Sequence, residues 1–565
     1  MPTVQIDLKD FENLLGRKLP TDIDELNDLL SYVKGEIKLI EGSEAHIEIK
    51  DSNRPDIWNI EGLARALRGF LGIEEGLKTY SVYGDSGVTV SVDSRLEHIR
   101  PYIGCAVVRG VKLNDLIIRG AMHLQDKLDQ TYGRRRRRTS IGLYDFGLIK
   151  PPLRYTVAKP REISFVPLGF EEELTLEEIL EKHPKGIEYG GIVKEYEVWP
   201  ILLDSEERVL SFPPIINSND LGRITERTRD VLVEVTGTRK ETVLNTLNIV
   251  VLSFADRGGR IESSEVIYSY KNEERVTTPK LETGTVTLTL PYIKEVLGIE
   301  LSRREVSALL KKARFRVASA KGDTLTVEVP CYRIDIMHPV DVVEEIAIAY
   351  GYDNIEPERT MASTIGGVTP EREFRDLIRE IMIGLGFQEV LTYTLTNPDN
   401  LFTKMNIKPT PIIEILNPKI QYLTCLRNWL LPGLLEFLGA NTHVEYPQRI
   451  FEVGYAIIPD KNAETKSVDT EKLSCVIIHS NANFTEARSN LDALLRNLGL
   501  SCVVKETEHG SFIEGRVGRV LVAGKDVGLI GEIHPLVLEN WRLENPAAAF
   551  ELDLNRLFQL KQIRV

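Results

Sequence analysis

Apolar residues recur along this chain with two periods, and the changes of period mark out its parts. Ile23, Leu26, Leu29 and Leu30 fall at helical spacing behind Pro20-Thr21. This predicts a helix with Thr21 as its N-cap and Asp22, Asp24 and Glu25 in its first turn. A second stripe, Ile60, Leu63, Ala64, Leu67 and Phe70, predicts a helix over 60–70 after the turn signal Asn53-Arg54-Pro55-Asp56. From about residue 88 to 270 the period drops to two, with frequent Pro and Gly between short runs. Ile201-Leu202-Leu203 and Val209-Leu210-Ser211-Phe212 read as two strands around a polar turn. In 231–236 the alternation sets Val231, Val233 and Val235 on one face and Leu232, Glu234 and Thr236 on the other.

A third unit opens with an alternating strand over 285–290, and Ser302-Arg303-Arg304-Glu305 fits a capping box at the start of a helix. A strand over 324–329 follows, and an acidic helix over 341–350 closes the unit. The rest, from about 365, mixes helices and strands; 371–385 is an amphipathic helix and 388–395 a strand. The pattern has one internal echo. Arg54-Pro55-Asp56-Ile57 precedes a helix, and so does Arg333-Ile334-Asp335-Ile336. Only the second copy carries the acidic residues Asp341, Glu344 and Glu345 on its helix; the same offsets in the first give Gly62, Arg65 and Ala66.

Length adds that 565 residues exceed one hydrophobic core and imply about four domains. With 42% hydrophobic and 27% charged residues, the chain has the composition of a globular protein. Its first residues have no basic start and no apolar core, so no signal peptide is expected, and no apolar run approaches the roughly 18 residues of a membrane span. Five scattered cysteines without a C-x-x-C pair point to a reducing cytoplasm and not to a disulfide framework or zinc site. The net charge of −14 means that nucleic acid must be met through a local basic patch or with a partner's help. One such patch stands out: Arg134, Arg135, Arg136, Arg137 and Arg138. It reads either as a solvated surface or as a candidate RNA or acidic-partner contact.

Three further features could carry chemistry. Asp341, Glu344 and Glu345 lie at i, i+3 and i+4 and so share a helical face; with Asp335 they offer oxygen ligands suited to Mg2+. The same residues read equally as first-turn acids complementing a helix dipole. Glu234, flanked by valines, is either a buried carboxylate that must meet a partner or a solvent-facing residue of an edge strand. Ser211 and Asn217 flank the Pro213-Pro214 break, where a loop can line a pocket. There is no G-x-x-x-x-G-K-[ST] loop, G-x-S-x-G elbow or H-E-x-x-H pair.

Together, Asn53-Arg54-Pro55-Asp56, Glu61-Gly62-Leu63-Ala64-Arg65 and Asp341-Val342-Val343-Glu344-Glu345-Ile346-Ala347, followed by Tyr350-Gly351-Tyr352-Asp353, resemble the β subunits of phenylalanine–tRNA ligases. The resemblance runs across essentially the whole chain, and its length looks like the archaeal/eukaryotic form. It implies a multidomain α+β protein: a small α/β domain over 1–87, a β-rich editing-type domain over 88–275, a winged-helix-like α/β domain with an acidic Mg2+-binding helix over 276–357, and a degenerate class II synthetase-like antiparallel-sheet core over 358–565. That last domain would serve as the interface to an α subunit in an α2β2 tetramer. It would bind no ATP, since 550–557 lacks a Gly-rich lead-in to an ATP-binding arginine; ATP and phenylalanine would react at the α-subunit site. Mg2+, shared with α, would be held by Asp335, Asp341, Glu344 and Glu345.

The resemblance also implies an editing pocket that hydrolyses tyrosine mischarged onto tRNA(Phe), lined by Leu202, Ser211, Asn217 and Glu234, with Thr236 and Gly237 beside Glu234. An apolar synthetic pocket rejects an added hydroxyl by only about a hundredfold, so a second site offering that hydroxyl an acceptor has a physical purpose. The alternatives are a non-catalytic RNA-binding scaffold subunit and a free-standing aminoacyl-tRNA deacylase. No general base is identified by the sequence.

Overall fold

A computed structural model describes residues 2–270, 274–359 and 364–562 of the protein. The chain divides into two compact units, Met1–Arg359 and Thr360–Val565.

The first unit begins with a three-stranded antiparallel sheet whose middle strand, Glu44–Ile49, lies between Thr3–Asp7 and Gly35–Glu41. Alternation buries Ala45, Ile47 and Ile49 on one face of that strand. The helix expected near residue 21 runs over Ile23–Ser31, and its N-cap is Asp22, not Thr21; the Asp22 carboxylate accepts from the backbone N–H of Asp24 and Glu25. An ionised carboxylate satisfies those free N–H groups more strongly than a hydroxyl would. The helix Ile60–Phe70 is capped by Asn59, whose side chain accepts from the Gly62 N–H. At Gly62 a Cβ would stand 1.7 Å from the Asp56 carbonyl, so only glycine lets this helix press onto the turn before it.

The chain then builds a ten-stranded sheet, within which Val231–Gly237 pairs antiparallel with Tyr102–Arg109 on one side and Thr139–Asp145 on the other. It is therefore not an edge strand, and the reading of Glu234 as solvent-facing is corrected. Val231, Val233 and Val235 pack towards Val243, Leu247 and Val251 of the helix Lys240–Asp256. Leu232 joins the opposite core with Cys105, Tyr144 and Leu202. The strands Trp199–Leu203 and Val209–Phe212 form the expected hairpin, with Leu202 opposite Ser211. A boundary after residue 87 would cut the strand Val82–Val92, which pairs along its length with Arg260–Tyr268.

Beyond it, Gly284–Thr289, Thr324–Val329 and Arg316–Lys321 make a second three-stranded sheet. Three helices cover it, Leu290–Leu297, Arg303–Lys312 and Pro339–Tyr350, and their apolar stripes meet around Ile293, Leu310, Phe315, Val343 and Ile346. The Ser302–Glu305 capping box forms as its spacing predicts.

The second unit is a seven-stranded sheet, antiparallel except for its first pair. Helices Pro370–Gly384, Phe484–Asn497 and Leu554–Gln562 cover one face, and Leu431–Ala440 and Pro535–Asn540 the other. The strand expected over 388–395 is cut to Gln388–Glu389 and Leu395–Thr396. Between them the Val390 N–H donates to the Phe451 carbonyl, the Arg427 N–H to the Thr394 carbonyl, and the Thr392 hydroxyl to Glu452. Among the described residues, no helix is long and apolar enough to cross a membrane.

Candidate functional site

The period-two rule that buries three valines on one side of Val231–Gly237 sends Glu234 into the opposite interior, where it is 2% exposed. Its partners in register are Cys105 and Gly142. Gly142 makes the room: a Cβ there would lie 2.6 Å from Glu234 Oε2 and 2.2 Å from the Tyr144 hydroxyl. That hydroxyl donates to Glu234 Oε2 at 2.8 Å, while Glu234 Oε1 has no hydrogen-bond partner among the described residues. Burial pushes the Glu234 carboxyl up to about 7, although the Tyr144 hydroxyl and the Arg100 charge both pull it down.

A cavity of about 60 Å³ opens on this face, lined by Glu234, Ser211, Asn217, Gln125, Arg136 and Ser140, with the Pro213-Pro214 turn forming part of its wall. The Ser211 hydroxyl is buried and, among the described residues, unpaired. Asn217 reaches the cavity from the far side of Ser211, its partner in register. Thr236 stands one layer behind, its hydroxyl accepting from Arg100 Nε at 2.9 Å and lying 3.1 Å from the Ser140 hydroxyl. Leu202 and Gly237 do not line the cavity. Leu202 is core behind Ser211, and Gly237 packs so closely on the Arg138 carbonyl that a Cβ would come within 2.2 Å of it.

The five arginines do not form one surface. Arg134, Arg135 and Arg136 adopt left-handed backbone with φ of 50°, 53° and 63°, a conformation costing L-residues about 1–2 kcal/mol each. This turn points Arg136 inward. Its Nε lies 2.9 Å from Asp129, its Nη1 donates to the Ile215 carbonyl at 2.8 Å, and its guanidinium lies over the Tyr189 ring. Arg134, Arg135 and Arg137 remain exposed and Arg138 is half-buried. As a surface contact, Arg136 is therefore corrected: it braces the cavity. Burial also pushes Asp129 up to about 7, with Arg136 and Arg100 opposing.

The four carboxylates near the acidic helix are not gathered around one point. On Pro339–Tyr350, Val342, Ile346 and Ala349 face the core, and Glu345, three residues after the first and four before the last, turns inward with them. Arg333 Nη2 donates at 2.6 Å both to Glu345 and to Asp335. Arg54 adds a second guanidinium, 3.9 Å from Asp335 and 3.7 Å from Glu345, while itself holding Asp56 at 2.8 Å. Burial would raise the Asp335 carboxyl, yet the Arg333 guanidinium holds it below the usual carboxylate range. Asp341 instead caps its own helix, accepting from the N–H groups of Met337 and His338, and exposed Glu344 takes Lys34 at 2.7 Å. The predicted common face thus splits, with Glu345 turned inward and Asp341 and Glu344 outward. Among the described residues, no group of three or more His, Cys, Asp or Glu is arranged to hold a metal ion. Of the four, Asp335 and Glu345 are paired with Arg333.

Several of these groups escape sequence reasoning. Gln125 and Asp129 share the helix Asp115–Gln130, while Tyr144 and Arg100 come from other parts of the chain, and only the glycine at 142, inside a strand, hints at a close approach. In the second unit a cavity of about 440 Å³ is lined by Tyr393, Tyr422, Trp429, Phe437 and Leu391 with Arg427 and Glu436. On its rim Leu391 is 79% and Tyr393 84% exposed.

Comparison with known proteins gives this arrangement a family. A family model described as the tRNA synthetase B5 domain matches residues 286–352, and one described as the phenylalanyl tRNA synthetase beta chain CLM domain matches 355–554. The chain is thus a multidomain mixed α/β protein of the tRNA synthetase class. It is 46% identical over 563 residues to the phenylalanine–tRNA ligase beta subunit of Pyrococcus abyssi (strain GE5 / Orsay), covering 99% of this chain and 100% of that protein. The beta subunit of Archaeoglobus fulgidus is 42% identical over 567 residues, covering 100% of both. A crystal structure of an N-terminal fragment of the phenylalanyl-tRNA synthetase beta subunit from Pyrococcus horikoshii superimposes with a TM-score of 0.59 at 42% identity, covering 62% of this chain and 100% of the fragment. The chain belongs to the phenylalanine–tRNA ligase beta-subunit family.

Proposed function

We propose that this chain supports ATP-dependent charging of tRNA(Phe) with phenylalanine by a partner α subunit, and itself hydrolyses tyrosine misplaced on that tRNA. The observation that carries the hydrolytic reading is Glu234: one of its oxygens is engaged by Tyr144 and the other lies unpaired beside a polar-lined cavity. A tyrosyl side chain would complete the unpaired oxygen with its phenolic O–H. A phenylalanyl side chain would enter the same space and leave a buried carboxylate desolvated, at a cost of about 1–3 kcal/mol or more for a charged group. Binding at Glu234 therefore selects the ester that the synthetic site accepts in error.

Asn217, Gln125 and Ser211 supply amide and hydroxyl groups around the same cavity, suited to orienting the ester and a water. Water adds to the carbonyl carbon, the bond to the ribose oxygen breaks, and free tyrosine leaves an uncharged tRNA 3′ end. In this reading the ten-stranded sheet that carries Glu234 is the core of the editing domain. Exposed Arg134, Arg135 and Arg137 near the cavity turn suit the phosphates of an incoming tRNA. The apolar rim and cavity of the second unit, with Leu391 and Tyr393 in water, favour residues 358–565 as a face for the α subunit in an α2β2 tetramer. Asp341 and Glu344 point outward and retain the oxygen chemistry for a cation shared with α, whereas Asp335 and Glu345 are held by Arg333. The reaction pairs ATP with phenylalanine on the partner, in the cytoplasm.

The test uses the chain co-purified with its α subunit. The complex should release tyrosine from tyrosyl-tRNA(Phe) far faster than phenylalanine from phenylalanyl-tRNA(Phe), and Glu234→Ala should remove that preference while leaving phenylalanine charging intact. Unaltered preference in Glu234→Ala would sink the assignment.

A further inference from the structure

Below the cavity lies a cation with no part in the hydrolysis as described. Arg100 is buried, 2% exposed, in the segment just before Tyr102–Arg109. Its guanidinium makes four hydrogen bonds: Nε to the Thr236 hydroxyl at 2.9 Å, Nη2 to the Thr236 carbonyl at 2.8 Å and to the Ser140 hydroxyl at 3.0 Å, and Nη1 to the Arg136 carbonyl at 3.0 Å. All four acceptors are neutral, so the hydrogen bonds engage the donors without cancelling the charge. Among the described residues this guanidinium makes no contact ion pair, and a buried charge left so is costly. The anions that feel it are Glu234 and Asp129.

We propose that Arg100 is a positioning residue for the editing pocket: it ties the Glu234 strand, Ser140 and the Arg136 turn into one wall, and supplies the buried positive charge that keeps the Glu234 carboxylate ionised as an acceptor. The inference rests on the hydrolytic reading of this pocket.

The geometry makes two separable demands. The fork of a guanidinium reaches three chain segments at once, which an ammonium cannot do. The charge acts through space, alongside the Tyr144 hydroxyl, which donates to the same carboxylate and also lowers it. Tyr144 from the strand Thr139–Asp145 and Cys105 from Tyr102–Arg109 are neutral, as is Tyr155 from Leu153–Ala158. Asp129, at the end of the helix Asp115–Gln130, opposes ionisation and is itself paired with Arg136. Arg100 is among the groups that lower the Glu234 carboxyl, so its removal moves that carboxyl upward. Discrimination that depends on ionised Glu234 is present above its pKa and lost below it. Without Arg100 the loss sets in at higher pH.

The experiment measures, in the α–β complex between pH 5.5 and 9, the ratio of kcat/KM for deacylation of tyrosyl- and phenylalanyl-tRNA(Phe). For Arg100→Gln the midpoint of that ratio is expected to rise by about one pH unit or more, the scale on which an opposite charge acts on a carboxylate. Arg100→Lys should keep the midpoint within a few tenths of a unit of the parent while losing rate through the missing fork. A folded Arg100→Gln complex with the parental midpoint overturns the proposal. If Arg100→Gln does not fold, Arg100→Lys decides alone: a midpoint displaced by a full unit overturns the electrostatic role, and an unmoved midpoint with reduced rate supports it. A parent complex without preference for the tyrosyl ester overturns the underlying reading, and this inference with it.

Discussion

Gly142 is the position where a single added carbon does most damage. It faces Glu234 across the ladder, and both Glu234 Oε2 and the Tyr144 hydroxyl occupy the space its Cβ would take. In Gly142→Ala the carboxylate must leave its rotamer or the strand must shift. Overpacking of this kind costs about 1–3 kcal/mol. The expected outcome is a lower thermal midpoint together with lost tyrosyl-tRNA hydrolysis, read by calorimetry and by deacylation of the preformed complex. An alanine variant with parental hydrolysis would mean that Glu234 is not held where its unpaired oxygen can be used. Glu234 itself was legible as a choice between two environments, since a carboxylate among valines must either be solvated or find a partner. The strand's place in the sheet settles that choice, and no local pattern carries it.

At the scale of elements, most helices and strands announce themselves by period. Ile60–Phe70 and Thr324–Val329 match their predicted spans: the strand buries one face, and the helix, whose apolar stripe announces it, is enclosed on nearly all sides. At 388–395 the run is apolar, but Leu391 and Tyr393 are left exposed, and the Thr394 carbonyl is taken by the Arg427 N–H. The echo between Arg54-Pro55-Asp56 and Arg333-Ile334-Asp335 acquires a meaning here. The two motifs meet in space, with Arg54 reaching Asp335 and Glu345 as Arg333 does. These side chains are almost wholly withdrawn from water, so removing one member leaves charge without a counter-charge. Arg333→Ala should destabilise the full chain by about 3–5 kcal/mol in urea denaturation. Adding Asp335→Asn and Glu345→Gln to that variant should recover a good part of the loss. If the single substitution costs under about 1 kcal/mol, the network is a solvated cluster and not a buried weld.

For the whole molecule, an excess of negative charge has to be reconciled with an RNA polyanion. The exposed arginines Arg134, Arg135 and Arg137 are placed to do this because the left-handed turn sends Arg136 the other way. Neutralising the three exposed residues to Gln should weaken tRNA binding by the complex and flatten its dependence on salt, by roughly 0.7–0.9 in log–log slope for each phosphate no longer neutralised. The fold should stay intact. Arg136→Gln should behave differently: it takes from Asp129 the guanidinium that pairs with it and should lower the thermal midpoint with little change in salt slope. Equal salt slopes for the parent and the triple variant, measured by filter binding from about 50 to 200 mM salt, would remove the run from the RNA surface.

The order of amino acids is enough to specify where the chain turns helical or extended, which faces are apolar, and which residue types stand ready for acid, base or phosphate chemistry. Those properties depend on near neighbours, whose spacing the covalent chain sets. The meeting of Glu234, Tyr144, Gly142, Arg100 and Asp129 depends instead on which strands pair and which turn folds back. So does the division of the acidic helix, whose three carboxylates part company once apolar packing claims one face. Burial is a collective property of layers, and with it come the raised carboxyls, the unpaired oxygen and the uncancelled arginine that a string of letters cannot display.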